Sequence, residues 1–290
     1  MITFNIDTSH KKRNVDNESC LDIFGEIELS LSRTCDKQCV SCPHSVIDYR
    51  SFNKQEVQFM SMDIVDKIVE ELRDVGFSGQ IDLAGLGEPT LHPDFLEIFE
   101  KLTQINDLLT VRLVTNGYKK KFGSSKFIDK MYKLMHSRVE ILISVYNRND
   151  IEYYNSISNK FAGKRIELKE IFLESDPIED IITNFSLNNR AGSVSSIHNN
   201  SDNKTCYYPF FMLFVSPDGD YQYCPHDWKK NLVIGNINDT GLLDMWRKKT
   251  KQRELFLNYR RNDIEICNTC NVKGTLIGSK SFNEFKGELI

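Results

Sequence analysis

Cys35-Asp36-Lys37-Gln38-Cys39-Val40-Ser41-Cys42 sets three thiols at the spacing C-x3-C-x2-C. A loop this tight lets three sulfurs converge on three corners of a cubane iron–sulfur cluster and leaves the fourth iron without a protein ligand. An iron left open binds and reduces a small molecule, which is a catalytic rather than a structural task. The same residues also suit a zinc knuckle with His44 as fourth ligand, because Cys and His at short spacing are zinc ligands too.

Working outward, Glu26-Ile27-Glu28-Leu29-Ser30-Leu31 alternates apolar and polar residues and predicts a strand that delivers the loop. Downstream, Ser61 caps a predicted helix to about Val75 whose stripe is Ile64, Val65, Ile68, Val69 and Leu72, with Gly76 ending it. Strands at Gln80–Ala84, Thr110–Val114, Val139–Val145 and Arg165–Phe172 then alternate with helices at Pro93–Gln104, Ser125–Met135, Asn149–Ser158 and Pro177–Phe185. Such alternation predicts an α/β fold with parallel strands and crossover helices, a partial (β/α)6 barrel over residues 25–190 behind an N-terminal arm of residues 1–24. Functional groups in barrels of this kind stand just beyond the C-terminal ends of the strands.

The pattern changes near residue 190. Residues 189–205 are rich in Asn, Ser and Gly, and Tyr207–Tyr223 is aromatic and β-like with a turn at Pro217-Asp218-Gly219. A second unit over residues 191–290 holds Cys206, Cys224, Cys267 and Cys270, so seven of the 8 cysteines fall in two groups and only Cys20 is left over. Cysteines so grouped read as metal ligands rather than disulfides, which suits a reducing, cytoplasmic setting. The net charge of −4 gives no electrostatic footprint for nucleic acid. The longest apolar run, Phe210–Val215, is far short of the roughly 20 residues that span a bilayer, so no membrane is expected.

Three strand ends carry chemistry. Gly85-Leu86-Gly87-Glu88-Pro89 follows the second strand, where glycines let backbone approach a ligand and a carboxylate pairs with an ammonium. Thr115-Asn116-Gly117 follows the third and Ser144 closes the fourth. Arg190, in Asn189-Arg190-Ala191-Gly192, offers a forked donor to hydroxyls or a developing oxyanion at the entrance to the second unit.

At the three-cysteine loop and the glycine-rich Glu-Pro segment the chain resembles the radical S-adenosylmethionine (SAM) superfamily. There the open iron chelates SAM, and electron transfer cleaves it to methionine and a 5'-deoxyadenosyl radical. The resemblance implies that Gly87 and Glu88 hold the SAM amino group, that Asn116 meets its adenosyl half, and that Ser144 meets its ribose or carboxylate. One departure is Ser41, where many members have an aromatic residue before the third cysteine. The spacing C-x12-G-x4-C from Cys206 through Gly219 to Cys224, with Cys267-x2-Cys270 beyond, resembles the twitch domain, a shortened SPASM domain holding one auxiliary [4Fe–4S] cluster. A structural zinc ribbon is the other reading of that quartet.

The expected function is a radical SAM dehydrogenase with two [4Fe–4S] clusters, oxidising a secondary alcohol of a sugar or cyclitol. The auxiliary cluster is the expected electron acceptor, Arg190, Tyr207 or a histidine such as His44 the expected base or stabilising cation, and a flavodoxin or ferredoxin the expected electron donor. An epimerase would need a thiol donor, for which only Cys20 is unallocated. A peptide-modifying maturase is expected to carry a leader-binding domain. A non-catalytic metal-binding or redox-sensing module would leave Gly85–Pro89 without a purpose.

Overall fold

The computed structural model describes residues 20–39, 41–46, 58–172, 175–177, 188–194, 206–248, 250–272 and 278–289. Among these residues eight strands form one sheet: β1 Glu26–Leu29, β2 Gln80–Leu83, β3 Thr110–Thr115, β4 Val139–Val145, β5 Arg165–Glu170, β6 Met212–Val215, β7 Asp220–Gln222 and β8 Val233–Asn236. Their order is β5-β4-β3-β2-β1-β6-β7-β8. From β5 through β1 to β6 the pairing is parallel; β7 and β8 are antiparallel.

The crossovers are helices Met62–Asp74, Phe95–Thr103, Ser125–Leu134 and Ile151–Lys160. Ser61 caps the first through the Ile64 N–H and Ser124 caps the third through the Phe127 N–H, each satisfying a donor that the helix leaves open. Gly76, at φ 61°, turns the chain out of the first helix where a side chain would be strained.

The sixth parallel strand comes from β6, within the second unit. With Ile27 beside Leu213 and Leu29 beside Val215, it extends the barrel sheet across the expected boundary at 190. The helix expected over Pro177–Phe185 falls, apart from Pro177, outside the described residues, as do residues 1–19 of the expected arm. The segment expected to be β-like from Tyr207 starts instead with a helical turn, Tyr208–Phe211. Pro209 lies in that turn's first residues, where its missing N–H has no partner to lose.

The two faces of the sheet differ. Ile27, Leu29, Ile81, Leu83, Val111, Leu113 and Ile141 pack with Ile64, Val65, Ile68, Phe95 and Phe99 of the crossover helices in one core. Each such side chain, fully buried, contributes roughly 1.5–3 kcal/mol. On the other face Glu28, Asp82, Arg112, Glu140 and Arg165 stand in register across five strands, with ion pairs from Arg112 to Asp82 and Arg165 to Glu140. Parallel pairing brings the C-terminal ends of β1 to β6 to one edge, where the sequence motifs meet.

Candidate active site

The loop leaving β1 is set against the loop leaving β2. Ser30 Oγ accepts the Leu86 N–H at 3.0 Å, and Thr34 O accepts the Glu88 N–H at 2.8 Å. A side chain at Gly87 would lie 2.5 Å from Thr34 O and 2.6 Å from Ser32 O, so only glycine allows this approach. The glycine-rich segment is thereby laid on the backbone that leads into Cys35.

Cys35 Sγ accepts the Lys37 N–H at 3.4 Å, Cys42 Sγ accepts the His44 N–H, and Asn116 Nδ2 lies 3.6 Å from Cys35 Sγ. Cys39 packs with Tyr146 and Ile171, and Cys42 with Leu86, Phe214 and Trp228. Burial pushes the Cys35 thiol up to about 12 and raises that of Cys42. Thiols held this way become thiolates when a cation replaces the proton, and an all-sulfur set suits iron–sulfur ligation.

Glu88, buried beside this loop, has both oxygens engaged. Oε1 accepts from Thr90 N at 3.0 Å and from the Thr90 and Thr115 hydroxyls at 2.6 Å each; Oε2 accepts from Asn116 N at 2.7 Å. Burial raises its pKa in spite of these bonds. The carboxylate thus ties the end of β2 to the end of β3. Asn116 Nδ2 donates to Asp36 at 2.8 Å, while its Oδ1 is buried without a partner. That open acceptor is what a hydroxyl or amino group of SAM would satisfy, and the site fits SAM on this ground. Ser144 is buried and hydrogen-bonded to the Tyr146 hydroxyl. Sequence reasoning missed Tyr146, whose signal is an aromatic residue directly after β4, at the edge where functional groups gather.

The second cysteine group is also brought together. Burial, with the neighbouring Cys206, Cys267 and Cys270, raises the Cys224 thiol well above its usual range. Burial likewise pushes Cys206 up to about 11 and Cys267 to about 12, while Arg261 draws both down. Arg261 donates at 3.0 Å to the carbonyls of Cys270 and Val272. Three sulfurs accept the N–H two residues on: Cys206 from Tyr208, Cys224 from His226, and Cys270 from Val272 at 3.4 Å. Backbone N–H groups aimed at sulfur stabilise thiolates and tune cluster potentials. Among the described residues no three His, Cys, Asp or Glu side chains converge as one metal ion requires.

Arg190 joins the two groups. Its Nη1 donates to His226 Nδ1 at 3.3 Å, two residues from Cys224, and its charge offsets part of the burial effect at Cys42. Tyr208, not Tyr207, adjoins this pair, with ring centroids 5.9 Å from His226. The Tyr207 ring packs on Phe282, 5.5 Å between centroids. Cys20 lies in the core, its carbonyl accepting the Trp246 indole N–H at 2.8 Å.

Comparison with known proteins bears on both cysteine groups. Residues 206–271 match the family model of SPASM, an iron–sulfur cluster-binding domain. The chain is 24% identical over 253 residues to the S-adenosyl-L-methionine-dependent 2-deoxy-scyllo-inosamine dehydrogenase of Niallia circulans, covering 86% of this chain and 93% of that protein. It is 33% identical over 93 residues to the GTP 3',8-cyclase of Actinobacillus pleuropneumoniae serotype 3 (strain JL03), covering 32% of this chain and 26% of that protein. Among solved structures, BtrN in complex with AdoMet and 2-DOIA aligns with a TM-score of 0.65 at 21% identity, over 86% of this chain and 93% of BtrN. Streptococcus suis SuiB bound to precursor peptide SuiA aligns at 0.54 and 14% identity, over 91% of this chain and 73% of SuiB. These likenesses are of fold. No helix among the described residues is long and apolar enough to cross a membrane.

Proposed function

We propose that this chain, a radical SAM enzyme with a SPASM-type iron–sulfur domain, oxidises a secondary alcohol of a sugar or cyclitol to a ketone. Cys35, Cys39 and Cys42 would hold the SAM-binding [4Fe–4S] cluster. Gly87, Glu88, Asn116 and Ser144 would form the SAM pocket, with Glu88 acting by holding Asn116 in place. Cys206, Cys224, Cys267 and Cys270 would hold a second [4Fe–4S] cluster. When bound, these groups supply a 5'-deoxyadenosyl radical to take the carbinol hydrogen and an acceptor for one electron.

The substrate then loses a hydrogen atom, a proton and an electron in all. The observation that carries the reading is Arg190, set between Cys42 and the His226 that follows Cys224. A guanidinium there binds the substrate oxygen and stabilises negative charge as its proton leaves. The polar row Glu28-Asp82-Arg112 on one face of the sheet suits a polyhydroxylated substrate better than an apolar one. A flavodoxin or ferredoxin is the proposed electron donor.

The name of the Niallia circulans relative makes 2-deoxy-scyllo-inosamine the first compound to offer. Anaerobically reconstituted protein with SAM, dithionite and a panel of such cyclitols and sugars is expected to form one product lighter by two hydrogens per 5'-deoxyadenosine. A product of unchanged mass in H2O that gains one deuterium in D2O would replace dehydrogenation with epimerisation.

A further inference from the structure

The segment bearing Arg190 is held in a conformation that its own residues do not favour. Arg190 and Ala191 have φ values of 48° and 52°, and Gly192 follows at 78°. For residues other than glycine this region costs about 1–2 kcal/mol each, and it persists when the surroundings enforce it.

The enforcing contacts come from Thr269 and Asn271, the residues on either side of Cys270. Asn189, fully buried, donates its N–H to Asn271 Oδ1 at 2.7 Å and its Nδ2 to Thr269 O at 2.6 Å. Its Oδ1 accepts from Asn271 N and from Gly192 N, both at 3.2 Å. A side chain at Gly192 would lie 2.3 Å from Thr269 Oγ1, so the two segments are as close as backbone permits. Arg261 also holds the cysteine segment, through the carbonyls of Cys270 and Val272.

We propose that Asn189 is a positioning residue that ties the Arg190 loop to the Cys267–Cys270 segment, so that filling the second cysteine site sets where Arg190 stands. The second site then does more than take an electron: assembling it completes the substrate-facing side of the first. This rests on the reading of the quartet as a cluster site and is separable from it by experiment. Asn189 acts through Arg190, whose geometry it fixes, and touches no reacting atom.

The test is hydrogen exchange on the full chain with Cys35, Cys39 and Cys42 replaced by Ala, so that only the second site can fill. Loading with iron and sulfide is expected to slow exchange across residues 188–194 by about tenfold, the worth of roughly one well-made hydrogen bond. In the same background Asn189→Ala is expected to take up the same iron and lose that protection. In the otherwise native chain, Asn189→Ala should form 5'-deoxyadenosine with less oxidised product, and Asn189→Ala/Arg190→Ala should be no worse than Arg190→Ala alone. A site that fills with iron without slowing exchange overturns the inference while sparing the cluster reading; a site that takes no iron overturns both. Should Asn189→Ala not fold, Gly192→Ala, which pushes the loop away from Thr269 and so from the Asn189 clasp, is expected to lower the product-to-deoxyadenosine ratio with iron retained. An unchanged ratio there would also overturn the inference.

Discussion

Glu88 shows how one side chain's role depends on what already occupies its oxygens. The sequence makes it a carboxylate facing an ammonium, but its oxygens accept from Thr90, Thr115 and Asn116. Glu88→Gln would turn an amide NH2 toward a buried donor. It is expected to cost about 1–3 kcal/mol of stability in the iron-free chain and to weaken SAM binding through a displaced Asn116. Denaturant melts and calorimetric SAM titration measure the two effects. Unchanged stability with weakened SAM binding would mean that the charge acts on the ligand directly.

Among the elements, the turn between β6 and β7 is fastened to the start of the cysteine loop. Asp218 pairs with Arg33 at 2.8 Å and accepts from Lys230 and Ser216. Burial pushes its carboxyl up, yet the Lys230 and Ser216 bonds and the charge of Arg33 together hold it below the usual carboxylate range. A folded-state pKa below the unfolded one contributes stability that is present above about pH 4 and is lost as pH falls through the folded value. Asp218→Asn is therefore expected to cost about 1–3 kcal/mol at neutral pH and to flatten the acid limb of stability. Urea midpoints taken from about pH 7 down to about pH 3 decide it, and parallel profiles for variant and wild type would remove Asp218 from the account.

At the scale of the whole molecule, the proposed oxidation makes the two cysteine groups parts of one reaction. Reconstituted protein is expected to carry about eight irons. Replacing Cys35, Cys39 and Cys42 with Ala is expected to leave about four and to abolish SAM cleavage. Stoichiometric zinc without acid-labile sulfide would end the radical SAM reading. A Cys267→Ala/Cys270→Ala variant, shown folded by circular dichroism, is expected to cleave SAM without matching ketone. One oxidised product per 5'-deoxyadenosine from that variant, with no added oxidant, would show that the second cluster is not the acceptor.

Much of this was legible in the chain itself. The spacing of Cys35, Cys39 and Cys42, the alternation that yields β1 to β5, and the cap at Ser61 are set by neighbours a few residues apart, and local periodicity records them. The addition of β6 to β1, the displacement of Tyr207 by Tyr208, the arrival of Tyr146 beside Cys39, and the clasp of Asn189 on Asn271 belong to the tertiary structure. Each joins segments far apart in sequence, and such a pairing is chosen by which buried surfaces and hydrogen-bonding groups fit once the sheet has formed.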